Sequence, residues 1–300
     1  MSAVFTDRQW IGFAAGFYLV GFLLGTFSLL RGGRPSNLAV YGLILGGFVL
    51  QNIGLGLRGR AVGGCPLGNT FEIFQFVAWS AITLYLVVGP TFRSSVLGHL
   101  TAALAATLTI VSLSIPAWDA TRRAHIFGGN AWIEFHAALA LFSYGVFALL
   151  ALTSLLSLLR LHSLQSKHIG GWFSFLPSVL DLDHIGVRLL ATGVALLGAS
   201  LAVGSVYWLR DTASVSPAKL AITVLVWAAY ATALGLRLRG RLLAKRFAWT
   251  CLAMFGAALL SLWPVDASRR PISSAARPGD RRVVVRVQRT KTGVNQGSIQ

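Results

Sequence analysis

Acidic side chains are scarce in this sequence: its 300 residues hold nine Asp and Glu against 26 Lys and Arg, and charged residues of either sign reach only 12%. A soluble domain carries roughly twice that fraction, so a compact chain of this make-up has too few charges to cover itself in water. Cysteine is almost missing. Cys65 and Cys251 permit one bridge at most, which excludes a disulfide scaffold, and Cys65 has no CxxC partner for a redox pair. No phosphate-binding P-loop, no nucleophile elbow and no pair of helical histidines at i and i+4 occurs. No run of intramembrane acids suggests a proton relay.

What is abundant is apolar surface: 55% of residues are hydrophobic and the mean hydropathy is +0.69. That excludes disorder and points to a polytopic membrane protein. The net charge of +17 does not imply nucleic acid, because it is concentrated in loops and in the C-terminal tail. There, positive charge orients membrane spans and meets anionic lipid head groups.

A span needs about 20 mostly apolar residues to cross roughly 30 Å of hydrocarbon. Eight stretches qualify, at about 10–30, 38–57, 71–88, 96–115, 132–159, 185–209, 220–236 and 247–263. They are continuously apolar rather than alternating, so they predict helices and not barrel strands. The expected fold is all-α, an eight-transmembrane-helix bundle over residues 1–265, with a basic, disordered tail over 266–300. The first stretch is too long for a signal peptide and lacks a basic leader, so it is expected to be retained. Trp172, Phe173, Phe175 and Leu176, in the loop before the sixth span, suggest an interfacial helix.

Eight spans put both termini on one side. Arg8, Arg58, Arg60, Arg122, Arg123, Arg210 and Lys219 lie on that side. The other holds Arg31, Arg34, Arg93, Arg160, Lys167 and Arg188, with the dense run Arg237, Arg239, Arg241, Lys245 and Arg246. Without the tail, the second side carries more cations. The positive-inside rule then predicts that loop 237–246 is cytoplasmic, in a multi-pass protein of the cell's inner (plasma) membrane.

Ionisable groups in or beside spans are costly and are functional candidates for that reason. The fifth span opens Trp132-Ile133-Glu134-Phe135-His136, and His136, Ala140, Ser143 and Tyr144 share a face at helical spacing. A single imidazole at the mouth of an apolar stripe suits an axial haem ligand; the alternative is a histidine hydrogen-bonded to a neighbouring carbonyl. The third span opens Cys65-Pro66-Leu67-Gly68-Asn69-Thr70-Phe71-Glu72. Asn69 or Thr70 suits a helix cap, and Glu72 suits the first turn; the functional alternative has Glu72 and Asn69 facing a polar cavity and orienting a ligand. His125 is either a second ligand or a solvated loop histidine. His99 and His184 read as interfacial. Trp10, Trp132 and Trp208 read as interfacial anchors.

Pro66 to Glu72, followed by Phe76 and Trp79-Ser80, resembles the motif before a helix in the cytochrome c assembly proteins of the CcsA and HemX type. His136 followed by Ala140, Ser143 and Tyr144 resembles their histidine-bearing helix, and Leu180-Asp181 with Arg188, Gly193 and Gly204 resembles the next one. The resemblance covers roughly residues 40–262. It implies a haem-handling membrane protein of cytochrome c biogenesis, with haem as cofactor, His136 as axial iron ligand on the external side, and Glu72, Asn69, Tyr144 and Trp208 around it. It also implies other membrane proteins of cytochrome c biogenesis as partners. The tryptophan-rich segment of the best-known members is absent: Ser205-Val206-Tyr207-Trp208-Leu209-Arg210-Asp211 stands in its place. The expected role is therefore assembly or handling rather than ligation chemistry. The competing readings are a haem-independent transporter or permease, and a regulatory membrane protein of tetrapyrrole biosynthesis.

Overall fold

Eight α-helices follow one another: α1 Asp7–Leu30, α2 Asn37–Val62, α3 Thr70–Val88, α4 Ser95–Ser114, α5 Ala131–Gln165, α6 Val179–Arg210, α7 Pro217–Leu238 and α8 Ala244–Ala267. A short 3-10 helix, Pro116–Asp119, follows α4. The computed structural model describes residues 5–31, 37–88, 95–124, 126, 130–166, 178–210 and 217–267, and no strand occurs among them. Helices α1 to α7 are each long and apolar enough to cross a membrane, and the eighth expected span is helix α8. The fold is the all-helical membrane bundle that the apolar runs predict. Residues 1–258 form one compact unit; of the second, 259–300, the turns of α8 up to Ala267 are described. The expected interfacial helix around Trp172 and the tail beyond Ala267 lie outside the described residues.

Two helix ends show how local sequence stops an apolar run. Gly63 closes α2 at φ 69°, and the Gly64 amide donates back to the Gly59 carbonyl at 3.1 Å. Gly240 closes α7 at φ 70°, with the Arg241 amide on the Leu236 carbonyl at 3.0 Å. Both are Schellman caps, in which only glycine takes the left-handed position without a Cβ penalty. The first carries α2 beyond the expected stop at Leu57, so Arg58 and Arg60 are helical residues and not loop residues.

Lipid gives helices little hydrophobic reason to associate, so backbone approach at small residues matters. In α6, Gly186, Gly193, Ser200 and Gly204 fall on one stripe against α5. A Cβ at Gly193 would sit 2.3 Å from the Phe147 ring, and one at Gly204 would sit 2.6 Å from the His136 ring. Phe147 is held on its other face by Tyr230 of α7, stacked at 3.8 Å and 2°. In α2, Gly47 and Gly54 admit Tyr18 and Ile11 of α1 in the same way.

A buried hydrogen-bond chain ties the first four helices together. Tyr18 donates its hydroxyl to Gln51 at 2.9 Å, Gln51 donates to the Gln75 side chain at 2.9 Å, and Gln75 donates to Ser112 at 2.7 Å. The chain ends on the Thr109 carbonyl, which accepts from Ser112 at 2.9 Å. Each member satisfies the next, as polar groups in hydrocarbon require.

Candidate functional site

Helix α5 begins at an extended residue, Asn130, whose side chain accepts from the Trp132 amide at 3.0 Å. One turn on, Glu134 accepts from the Cys65 amide at 3.3 Å and so ties the α2–α3 loop to this helix start. His136 follows and turns toward α6. Its Nδ1 lies 2.7 Å from the Ser200 carbonyl and 3.1 Å from the Ser200 hydroxyl. That hydroxyl donates to the His136 carbonyl at 3.0 Å. A carbonyl only accepts, so Nδ1 carries a proton, and in the neutral ring Nε2 then carries the lone pair. No described residue hydrogen-bonds to Nε2. The ring rests over Gly204, the one residue at that place with no Cβ to displace it.

The carbonyl alternative for His136 is thus realised, and it is compatible with ligation. Histidines that bind metal donate their other ring N–H to a carbonyl or carboxylate, which fixes the tautomer and aims the free nitrogen. On that chemistry the residues present fit a haem iron at His136 Nε2. Among the described residues no cluster of three or more His, Cys, Asp and Glu is placed to hold a metal ion by itself.

A second constellation lies where α1, α2 and α3 meet the 3-10 helix. Arg58 is fully buried. Its guanidinium donates to Asp7 at 2.8 Å, to both oxygens of Asp119 at 2.6 and 2.9 Å, and to Glu72 at 3.3 Å, and it lies 4.5 Å above the Phe71 ring. Arg8 adds a contact to Asp119 at 3.1 Å, and Arg122 one to Asp7 at 3.1 Å. Three carboxylates therefore face three guanidinium groups, and the formal charges cancel. Burial alone would raise the Asp119 carboxyl; the Arg58 hydrogen bond and charge, with Arg122 and Arg8, hold it below its ordinary value. Nearby, burial together with Glu134 and Glu72 pushes the Cys65 thiol up to about 11, which keeps it protonated and unreactive near neutral pH.

The sequence-predicted residues divide between these two places. Asn69 is the cap of α3: its side-chain oxygen accepts from the Glu72 amide at 2.8 Å, and its amide group donates to the Thr121 carbonyl at 3.0 Å. Glu72 is buried, accepting from the Gly68 amide at 2.6 Å as well as from Arg58. These two are brought together with Asp119, and their partners do not include His136. Tyr144 is buried two turns along α5 from His136. Trp208 lies in α6 one turn beyond Gly204, with its side chain outside the described residues, as is His125. His184 is exposed at the start of α6. His99, in the first turns of α4, stacks on Phe22 of α1 at 4.9 Å and meets Thr26 at 3.4 Å. Asp181 accepts from the Ser178 hydroxyl at 2.7 Å at the α6 start, whereas Asp183 is the residue that pairs with Arg237.

Sequence reasoning missed Ser200 and Arg58. Ser200 was visible as the small polar member of the stripe Gly186, Gly193, Gly204. Arg58 was visible through scarcity, since a chain with nine acids gathers three of them on it.

Residues 67–265 match the family described as Cytochrome C assembly protein. Protein HemX of Bacillus subtilis (strain 168) is 25% identical over 193 residues, which cover 63% of this chain and 69% of that protein. Protein HemX of Brevibacillus brevis is 25% identical over 178 residues, covering 59% of this chain and 65% of its own length. An uncharacterized 28.8 kDa protein of Azospirillum brasilense is 34% identical over 73 residues, or 24% of this chain and 27% of that one.

Proposed function

The chain belongs to the cytochrome c assembly protein family, and we propose that it binds or passes haem during cytochrome c biogenesis, with His136 as an axial ligand on the external side of the plasma (inner) membrane. The observation that carries this reading is the Nδ1–H bond from His136 to the Ser200 carbonyl, which leaves Nε2 free as a base. When bound, haem supplies the iron whose redox and ligand chemistry the family uses. The chain's own residues hold and shield. Ser200 fixes the imidazole tautomer, and Gly204 gives the ring its seat. Glu72 and Asn69 act as positioning residues: they set the α2–α3 loop, which Glu134 then fastens two residues from His136. The parts of Tyr144 and Trp208 rest on their register along α5 and α6. A second ligand would come from His125, a water or another subunit.

The orientation follows from charge. Arg239, Arg241, Lys245 and Arg246 have no carboxylate partner among the described residues, as expected of a cytoplasmic loop, and the basic tail from 266 meets anionic lipid. Reporter fusions at Gly240 and after Asp266 then report opposite sides; a periplasmic signal at Gly240 reverses the assignment.

The test is the absorption spectrum of the detergent-purified full chain from haem-replete cells. A Soret band that weakens in His136→Ala, with the protein still accumulating, is the expected result. A colourless wild type favours the haem-independent transporter. The second reading, which the resemblance to the HemX type implies, is regulation of tetrapyrrole synthesis. Deleting the gene separates the two: loss of c-type cytochromes marks biogenesis, and altered tetrapyrrole enzyme levels with normal cytochromes mark regulation.

A further inference from the structure

Two arginines on one helix turn meet opposite fates. Arg58 is buried among three carboxylates, while Arg60 is exposed and has no ion-pair or hydrogen-bond partner among the described residues. Arg60 stands at the end of a groove of about 490 Å³ that runs along α2. Phe48, Val49, Ile53, Gly56 and Leu57 give it apolar walls. Its polar lining atoms are already spent: Asn52 donates to the Phe48 carbonyl at 2.8 Å and accepts from the Trp79 indole at 3.1 Å. Trp79 in turn stacks along Phe48 at 6.2 Å. The groove therefore offers hydrocarbon contact over its length and one free positive charge at one end.

We propose that this groove seats one anionic phospholipid, an acyl chain lying along α2 from Phe48 to Leu57 and the phosphate on Arg60. Dimensions favour that occupant. The twelve helical rises from Phe48 to Arg60 span about 18 Å, more than half of the hydrocarbon thickness. Its seven lining residues all lie on one face of α2, so the groove is shallow and open on its outer side, where lipid lies in a membrane bundle. Haem is a poor occupant, since no His, Cys, Met or Tyr lines the groove to meet the iron. The site is separate from His136 and does not depend on haem binding.

Gly56 provides a clean probe. A Cβ there would meet no atom within 4 Å, so Gly56→Leu fills the groove without pressing on the fold. The experiment is native mass spectrometry of the detergent-purified full chain, titrated with phosphatidylglycerol or with phosphatidylcholine of the same acyl chains. The wild type retains one more phosphatidylglycerol than Arg60→Gln does, and Arg60→Gln lowers the preference for the anionic lipid about fivefold, the effect of one interfacial cation. Arg60→Lys keeps the preference. Gly56→Leu loses one retained lipid of either kind at unchanged thermal stability. The basic tail is common to all four proteins and cancels in the comparison. Equal lipid retention by wild type, Arg60→Gln and Gly56→Leu overturns the proposal. So does a tightly held protein chain that Gly56→Leu releases, or a Soret band that Arg60→Gln abolishes.

Discussion

His136 and Ser200 are joined twice across the α5–α6 seam: the imidazole Nδ1 lies 2.7 Å from the Ser200 carbonyl, and the Ser200 hydroxyl donates to the His136 carbonyl at 3.0 Å. The first bond sets the tautomer. The second locks the two backbones in register, so the ring is placed by helix packing and not by a flexible loop. A ligand held this way loses little freedom when it binds.

The seam predicts an unequal pair of mutants. Gly204→Val puts carbon atoms where the His136 ring now lies, since even a Cβ would come within 2.6 Å of it. The ring must turn away, and retained haem should fall tenfold or more, the scale on which lost support for a metal ligand is felt. Ser200→Ala keeps the carbonyl acceptor and should lower it only slightly. Haem-to-protein ratios of the purified variants check this; equal loss in both would mean that the ring is not placed by Gly204.

Arg58 is predicted to be the costliest charged residue to remove from residues 1–258. Arg58→Met leaves Asp7, Glu72 and Asp119 without their shared cation, and breaking a buried pair from one side costs about 3–5 kcal/mol. Arg8 and Arg122 offset part of that, so Arg58→Lys should recover some stability without matching the bidentate grip on Asp119. Thermal unfolding in detergent reads both; a wild-type melting temperature for Arg58→Met would mean that the cluster is not a brace.

The same cluster gives a pH dependence with a definite sign. The folded Asp119 carboxyl titrates below its ordinary value. Its contribution is therefore present above the unfolded value, about 3.9, and is lost as pH falls through the folded one. Stability measured from pH 7 downward should hold until about pH 4 and then decline. Asp119→Asn should be less stable at pH 7 and show a shallower acid decline. A variant curve parallel to wild type would contradict the assignment.

The hydrogen-bond chain through Gln75 should contribute modestly. Each intramembrane side-chain bond averages about 0.6 kcal/mol and reaches about 1.7. Tyr18→Phe removes one bond and should lower the melting temperature by about 1–3 °C. Gln75→Leu removes the links to both Gln51 and Ser112 and should lower it further. The order of the two melting temperatures is the check, and a reversed order would show that the chain does not act in series.

The helices and the cap at Asn69 were legible because both are local: apolar runs set the first, and an Asn three residues before Glu72 sets the second. His136 stood out as a candidate because a single imidazole opens an apolar stripe. What escaped was long-range pairing. Arg58 sits where a span-end arginine normally snorkels, and its partners Asp7 and Asp119 are 51 and 61 positions away. Ser200 is 64 positions from His136 and looks like any small residue of a packed helix. His99 read as interfacial because it opens an apolar run; only the packing of α1 shows that it also meets Phe22 and Thr26. Gln51 and Gln75 carry no spacing signal, since each finds its partner on another helix.

The central claim, that His136 Nε2 is the group offered to haem iron, is met most directly by ligand replacement. The measurement is the Soret spectrum of His136→Gly, purified from haem-replete cells, before and after adding imidazole. The ring's seat over Gly204 and beside the Ser200 carbonyl is intact in that variant, so exogenous imidazole should enter it and restore the wild-type band. A wild-type spectrum in His136→Gly without imidazole would contradict the account.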